Sequence, residues 1–174
     1  MKKQLLAIAL VAMTTIASYA QGTIAFGNSA LTRVQIIGDG TAARNATTAD
    51  GLTIGVWYGS SADSLQQAPG TATIGSTAGV MAGAASVYAL PGTEAGQIVS
   101  LQIRAWNDRG WSGQTKVAQV TLGPTAGPGA VIWQTATGTF DTRFTPLQVN
   151  VPEPTTIALG VLGLGSLLLF RRRK

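Results

Sequence analysis

Residues 98–106 read Ile98-Val99-Ser100-Leu101-Gln102-Ile103-Arg104-Ala105-Trp106. In an extended chain successive side chains point to opposite faces. Val99, Leu101, Ile103 and Ala105 therefore line one face, and Ser100, Gln102 and Arg104 line the other. This is the pattern of a β-strand with one side in a core and one side in water. Residues 52–58 (Leu-Thr-Ile-Gly-Val-Trp-Tyr) alternate in the same way, although the face taken by Trp57 at the strand end is left open. Weaker strand candidates lie at 23–26, 33–37, 86–90, 116–122, 130–135 and 144–150.

Breakers separate these segments: Gly38-Asp39-Gly40, Gly59-Ser60-Ser61, Pro69-Gly70, Pro91-Gly92, residues 107–110, and the Gly- and Pro-rich stretch 123–129. Each suits a turn, because glycine accepts positive φ and proline presets its own. Residues 61–67 fit one or two helical turns, and the small-residue stretch 72–85 fits either a loop or a glycine-rich strand pair. No apolar stripe of helical period persists between residues 21 and 151. The expected fold is mainly β: an antiparallel β-sandwich or jelly-roll-like domain over residues 21–150, flanked by an N-terminal signal helix and a C-terminal transmembrane helix.

The two ends carry the chain's charge imbalance. The formal net charge of +5 comes from Lys2, Lys3, Arg171, Arg172, Arg173 and Lys174, less Glu153. Between residues 21 and 151, six basic residues (Arg33, Arg44, Arg104, Arg109, Lys116, Arg143) meet six acidic ones (Asp39, Asp50, Asp63, Glu94, Asp108, Asp141). A neutral domain with no basic stripe gives no footprint for a nucleic-acid partner. Met1-Lys2-Lys3, the apolar run 5–17 and Ser18-Tyr19-Ala20 have the three parts of a secretory signal peptide, residues 1–20, with cleavage by signal peptidase between Ala20 and Gln21. The chain has no cysteine and no histidine. An exported domain of this kind rests on its core without disulfides, and it lacks most zinc ligands and nucleophile–base pairs.

Residues 155–170 hold no charge and make a helix of about 24 Å, followed by Arg171-Arg172-Arg173-Lys174 as a stop-transfer cluster on the cytoplasmic side. Flanking arginines can snorkel and the bilayer can thin to accommodate a slightly short span. Immediately before this run stand Val151-Pro152-Glu153-Pro154. In this order at this end, the three parts closely resemble the PEP-CTERM protein-sorting signal, over residues 151–174. The resemblance implies that exosortase, a membrane cysteine protease or transpeptidase, processes the tail near Pro152, Glu153 and Pro154. It also implies an exported protein of bacteria that make extracellular polysaccharide, with the passenger outside the inner membrane and then at the cell surface or in the matrix. Two prolines keep the motif extended and out of helix or sheet, which presents Glu153 as a fixed charge.

Within the passenger, Trp106-Asn107-Asp108-Arg109-Gly110-Trp111 carries two readings. As a glycan contact, Trp106 and Trp111 would stack on sugar rings while Asn107, Asp108 and Arg109 hydrogen-bond hydroxyls. As a plain hairpin loop, its indoles would pack against the end of the domain with Asp108 and Arg109 solvated. Asp39 and Asp50 are the candidates for a calcium site, without the D-x-D-x-D-G pattern that would support one. A hydrolase would need a carboxylate pair such as Asp108 with Asp141, which nothing in the sequence brings together. The expectation is a non-enzymatic surface or matrix protein with no cofactor and no metal. The alternative is a carbohydrate-binding module for the cell's own exopolysaccharide.

Overall fold

The computed structural model describes residues 21–152 apart from 30–31, 39, 41, 83–85, 126, 128, 134–143 and 145–146. The signal segment 1–20, the proposed span 155–170 and the basic tail lie outside the described residues. Among those described, no helix is long and apolar enough to cross a membrane.

The strands are β1 (Thr23–Gly27), β2 (Gln35–Ile37), β3 (Arg44–Asn45), β4 (Thr53–Gly59), β5 (Gln66–Thr73), β6 (Ser86–Ala89), β7 (Ile98–Trp106), β8 (Ser112–Gln114), β9 (Ala118–Thr121), β10 (Ala130–Trp133) and β11 (Gln148–Asn150), with a 3-10 turn at Thr48–Asp50. They form two sheets. The smaller has the order β10-β1-β6; the larger runs β3-β2-β11-β8-β7-β4-β5, with β9 also on β7. Both contribute to one core, where Ile24, Phe26, Ile132 and Trp133 of the small sheet join Ile54, Val56, Leu101, Ile103 and Val149 of the large one.

The mainly β expectation holds, and the purely antiparallel pairing does not. β1 pairs with β10, and β2 with β11, in parallel. Parallel neighbours need long crossovers rather than tight turns, so each joins an early segment to a late one. β7 does what its alternation dictates on the inner face: Val99, Leu101, Ile103 and Ala105 are buried. Its other face is drier than expected, because Ser100 and Gln102 are buried too. Along one edge β7 pairs with β4 from Ser100 to Trp106; along the other it takes β9 at Ile98–Leu101 and β8 at Arg104–Trp106.

Pro69-Gly70 lies within β5 instead of making a turn. β5 is an edge strand, and its register on β4 shifts between Gly55 and Trp57. An edge bulge is where a residue lacking N–H is tolerated. Gly70 has φ 94 and a Cβ there would sit 2.7 Å from the Tyr88 ring, so both the backbone and the space require glycine. The expected helical turns at 61–67 reduce to a single turn, with Ser64 N–H donating to Ser61 O at 3.3 Å, before β5 begins at Gln66. In the 72–85 stretch, Ile74 and Met81 form an isolated antiparallel bridge, which favours the strand-pair reading there.

A buried amide ties the loop after β1 to this bridge. Asn28 Nδ2 donates to Thr32 O (2.9 Å) and Gly79 O (2.7 Å), and Asn28 Oδ1 accepts from Met81 N–H at 2.7 Å. Replacing Asn28 with Ala takes away the acceptor of the buried Met81 N–H, which costs about 1–3 kcal/mol. The expected outcome is a lower denaturation midpoint with an unchanged slope, measured by chemical unfolding.

Candidate functional site

The outer face of the large sheet holds a groove of about 800 Å³, lined by Ile37, Trp57, Gln67, Arg104, Ala105, Trp106, Ser112, Gly113, Gln114, Gln148 and Asn150. This volume falls in the roughly 300–1,000 Å³ range of small-ligand sites. Strand register explains the membership. Thr53, Gly55 and Trp57 of β4 stand opposite Trp106, Arg104 and Gln102 of β7. Arg104 and Trp106 in turn stand opposite Gln114 and Ser112 of β8, and Ser112 opposite Asn150 of β11. Side chains at these positions share the face turned away from the core.

The centre of the groove is an aromatic corner. Trp57 and Trp106 lie with ring centroids 5.2 Å apart at 80°. Gly55 makes room for both: a Cβ there would be 3.2 Å from each indole. The Arg104 guanidinium carbon stands 4.8 Å from the centroid of the Trp57 ring, a cation–π contact. Its direction is set from alongside, by the residue two positions earlier on the same face. Arg104 Nε donates to Gln102 Oε1 at 2.7 Å, and Gln102 Nε2 donates to Thr115 O at 2.9 Å. Thr115 Oγ1 accepts the Ile103 N–H at 3.0 Å, which locks the chain to the β7 backbone. Gln102 and Thr115 are each 6% exposed, so this support is shielded from water.

Around the corner stand four exposed amides, Gln67, Gln114, Gln148 and Asn150, with the hydroxyl of Ser112. The lining contains no carboxylate, histidine or cysteine. Among the described residues no group of three or more His, Cys, Asp or Glu could hold a metal ion. The groove can stack flat rings, donate and accept hydrogen bonds, and meet an anion with one guanidinium.

The four residues named from sequence as a glycan contact are not brought together here. Trp106 lines the groove. Asn107 organises the β7–β8 turn: its Oδ1 accepts from Arg109 N–H and Trp111 N–H, both at 3.0 Å, and its Nδ2 donates to Asp50 O at 2.8 Å. Trp111 packs against the core, with the Arg109 guanidinium 5.5 Å from its ring centroid. Asp108 is exposed on the turn. Sequence reasoning put Arg104 on the outer face without joining it to a site, missed the amides, and left Trp57 open. Pairing the alternation of 52–58 against that of 98–106 is the signal that puts Trp57 on the outer face.

Asp50 has a structural use of its own. Its carboxylate receives Arg44 Nη1 (2.9 Å) and Nη2 (2.7 Å), Thr47 N–H (2.6 Å) and the Thr47 hydroxyl (3.0 Å). The Arg44 fork, aided by the Thr47 bonds and opposed by burial, lowers its pKa to about 2. A carboxylate so occupied has little left for calcium; Asp39 lies outside the described residues.

β11 leads directly into the terminal segment. Val151 N–H still donates to Ile37 O at 3.0 Å, and the exposed Pro152 is next. A family model described as a PEP-CTERM protein-sorting motif matches residues 150–174, beginning on the last residue of β11. No curated protein and no solved structure gives a match.

A depressed carboxylate pKa contributes stability that is present above the unfolded value and lost as pH falls through the folded one. Asp50→Asn is expected to lose roughly 1–3 kcal/mol at neutral pH. The gap to the unsubstituted chain should narrow below about pH 4 and close near pH 2. Chemical unfolding of both proteins across that pH range measures it.

Proposed function

We propose that this chain, which carries a PEP-CTERM sorting motif, is a non-enzymatic surface or matrix protein whose β domain is the cargo of its tail. The motif is a sorting signal addressed to exosortase, and it implies export and sorting to the cell envelope. The match at residues 150–174 is the observation that carries the reading. In this proposal signal peptidase cuts between Ala20 and Gln21, residues 155–170 hold the tail in the membrane, and Arg171, Arg172, Arg173 and Lys174 stop transfer. Exosortase then acts near Pro152, Glu153 and Pro154. Two sheets sharing one core support the sandwich reading of the passenger. A groove lining without acid, base or thiol supports a binding role over a catalytic one.

A second reading is favoured by the groove itself. Two indoles at a corner, ringed by amides, suit an oligosaccharide, whose rings stack on aromatic faces and whose hydroxyls both donate and accept. The passenger is then a carbohydrate-binding module for extracellular polysaccharide.

The sorting proposal is tested by intact mass of the protein recovered from the surface of an exosortase-positive host. The expected mass begins at Gln21 and lacks the apolar tail. Replacing Pro152 and Pro154 together by Ala is expected to leave the tail attached and the protein in the membrane fraction. Unchanged processing of that variant would overturn the exosortase step, and full-length protein in the cytoplasm would overturn export.

A further inference from the structure

We infer that the groove takes an acidic oligosaccharide, with the Arg104 guanidinium pairing a uronate-type carboxylate beside the Trp57–Trp106 corner. This rests on the carbohydrate-binding reading and adds the class of sugar. Arg104 is the one charged side chain in the lining, and among the described residues no carboxylate pairs with it. Its Nε is engaged by Gln102, which leaves the two terminal nitrogens, the pair that grips a carboxylate in a two-point contact. The orientation of that pair is prepared by two buried side chains beside it, Gln102 on the same face of β7 and Thr115 at the strand's edge. Stacking on Trp57 alone would need no such support, because a guanidinium over a ring is held by its face. A lone cation among neutral amides and indoles complements a polymer carrying one carboxylate per ring, and gives a neutral polymer no matching charge.

The test titrates the purified full-length chain, followed by tryptophan fluorescence, with oligogalacturonate and with the same oligomer fully methyl-esterified. The ester keeps the sugar skeleton and removes the charge. The acid form is expected to bind about tenfold tighter than the ester or more, an advantage that shrinks with added salt. Arg104→Gln should abolish the preference, bringing acid and ester to the same affinity, and Arg104→Lys should restore it only in part, since an ammonium cannot make the two-point contact. Equal binding of acid and ester, indifferent to Arg104→Gln, would overturn the acidic-sugar inference while leaving the carbohydrate reading intact. Binding of neither form, by a chain whose thermal unfolding is cooperative, would overturn both.

Discussion

β7 is the strand on which core and groove both depend. Its inner face places Leu101 and Ile103, each 0% exposed, in the core. Each contributes roughly 1.5–3 kcal/mol of apolar burial. Its outer face presents Arg104 and Trp106. With no cysteine in the chain, no disulfide can hold this strand if its packing weakens. Both edges are paired, β4 on one side and β8 with β9 on the other, so the strand is fixed in register as well as in place. A one-residue slip would exchange the two faces and put Arg104 where Ile103 now packs.

Much of this was legible in the sequence, wherever local alternation decides structure. The 98–106 and 52–58 segments became adjacent interior strands of the large sheet, and the mainly β class follows from them. The turn residues were less reliable. Pro69-Gly70 reads as a break, but on an edge strand with a bulge the missing N–H faces no partner, so the strand runs through it. β3 and β8, of two and three residues, are too short to show any period. Parallel pairing of β1 with β10 joins residues more than a hundred apart, a distance over which pattern carries no information. Trp133 shows the same limit: it is fully buried at the end of β10 with φ 81, a conformation that an apolar run does not announce.

The site was legible in its residue types and not in its grouping. The sequence draws the eye to Trp106 and Trp111 because they flank one polar turn, yet Trp106 pairs with Ser112, and Trp111, one position before it, faces the opposite way. Trp106 finds its partner across the ladder in Trp57, forty-nine residues earlier, because Gly55 leaves the space between them open. Asn107 and Asp50, which look like polar ligands in waiting, are occupied: Asn107 fastens its turn to the backbone carbonyl of Asp50, whose carboxylate is held by Arg44 and Thr47. The tail behaves in the opposite way: its meaning lies in order along the chain, and sequence is the right place to read it.

The direct passage from β11 into Pro152 has a mechanical consequence. A tug between something held in the groove and the end of the chain would travel through β7, β8 and β11, bypassing the small sheet. β11 meets β8 at one register pair, Asn150 with Ser112, and β2 at three. The strain would therefore concentrate at that single rung, and the three-rung ladder to β2, lying parallel to β11, would carry its share in shear. Under a pull on Pro152, the rung between Asn150 and Ser112 is where the large sheet would first give.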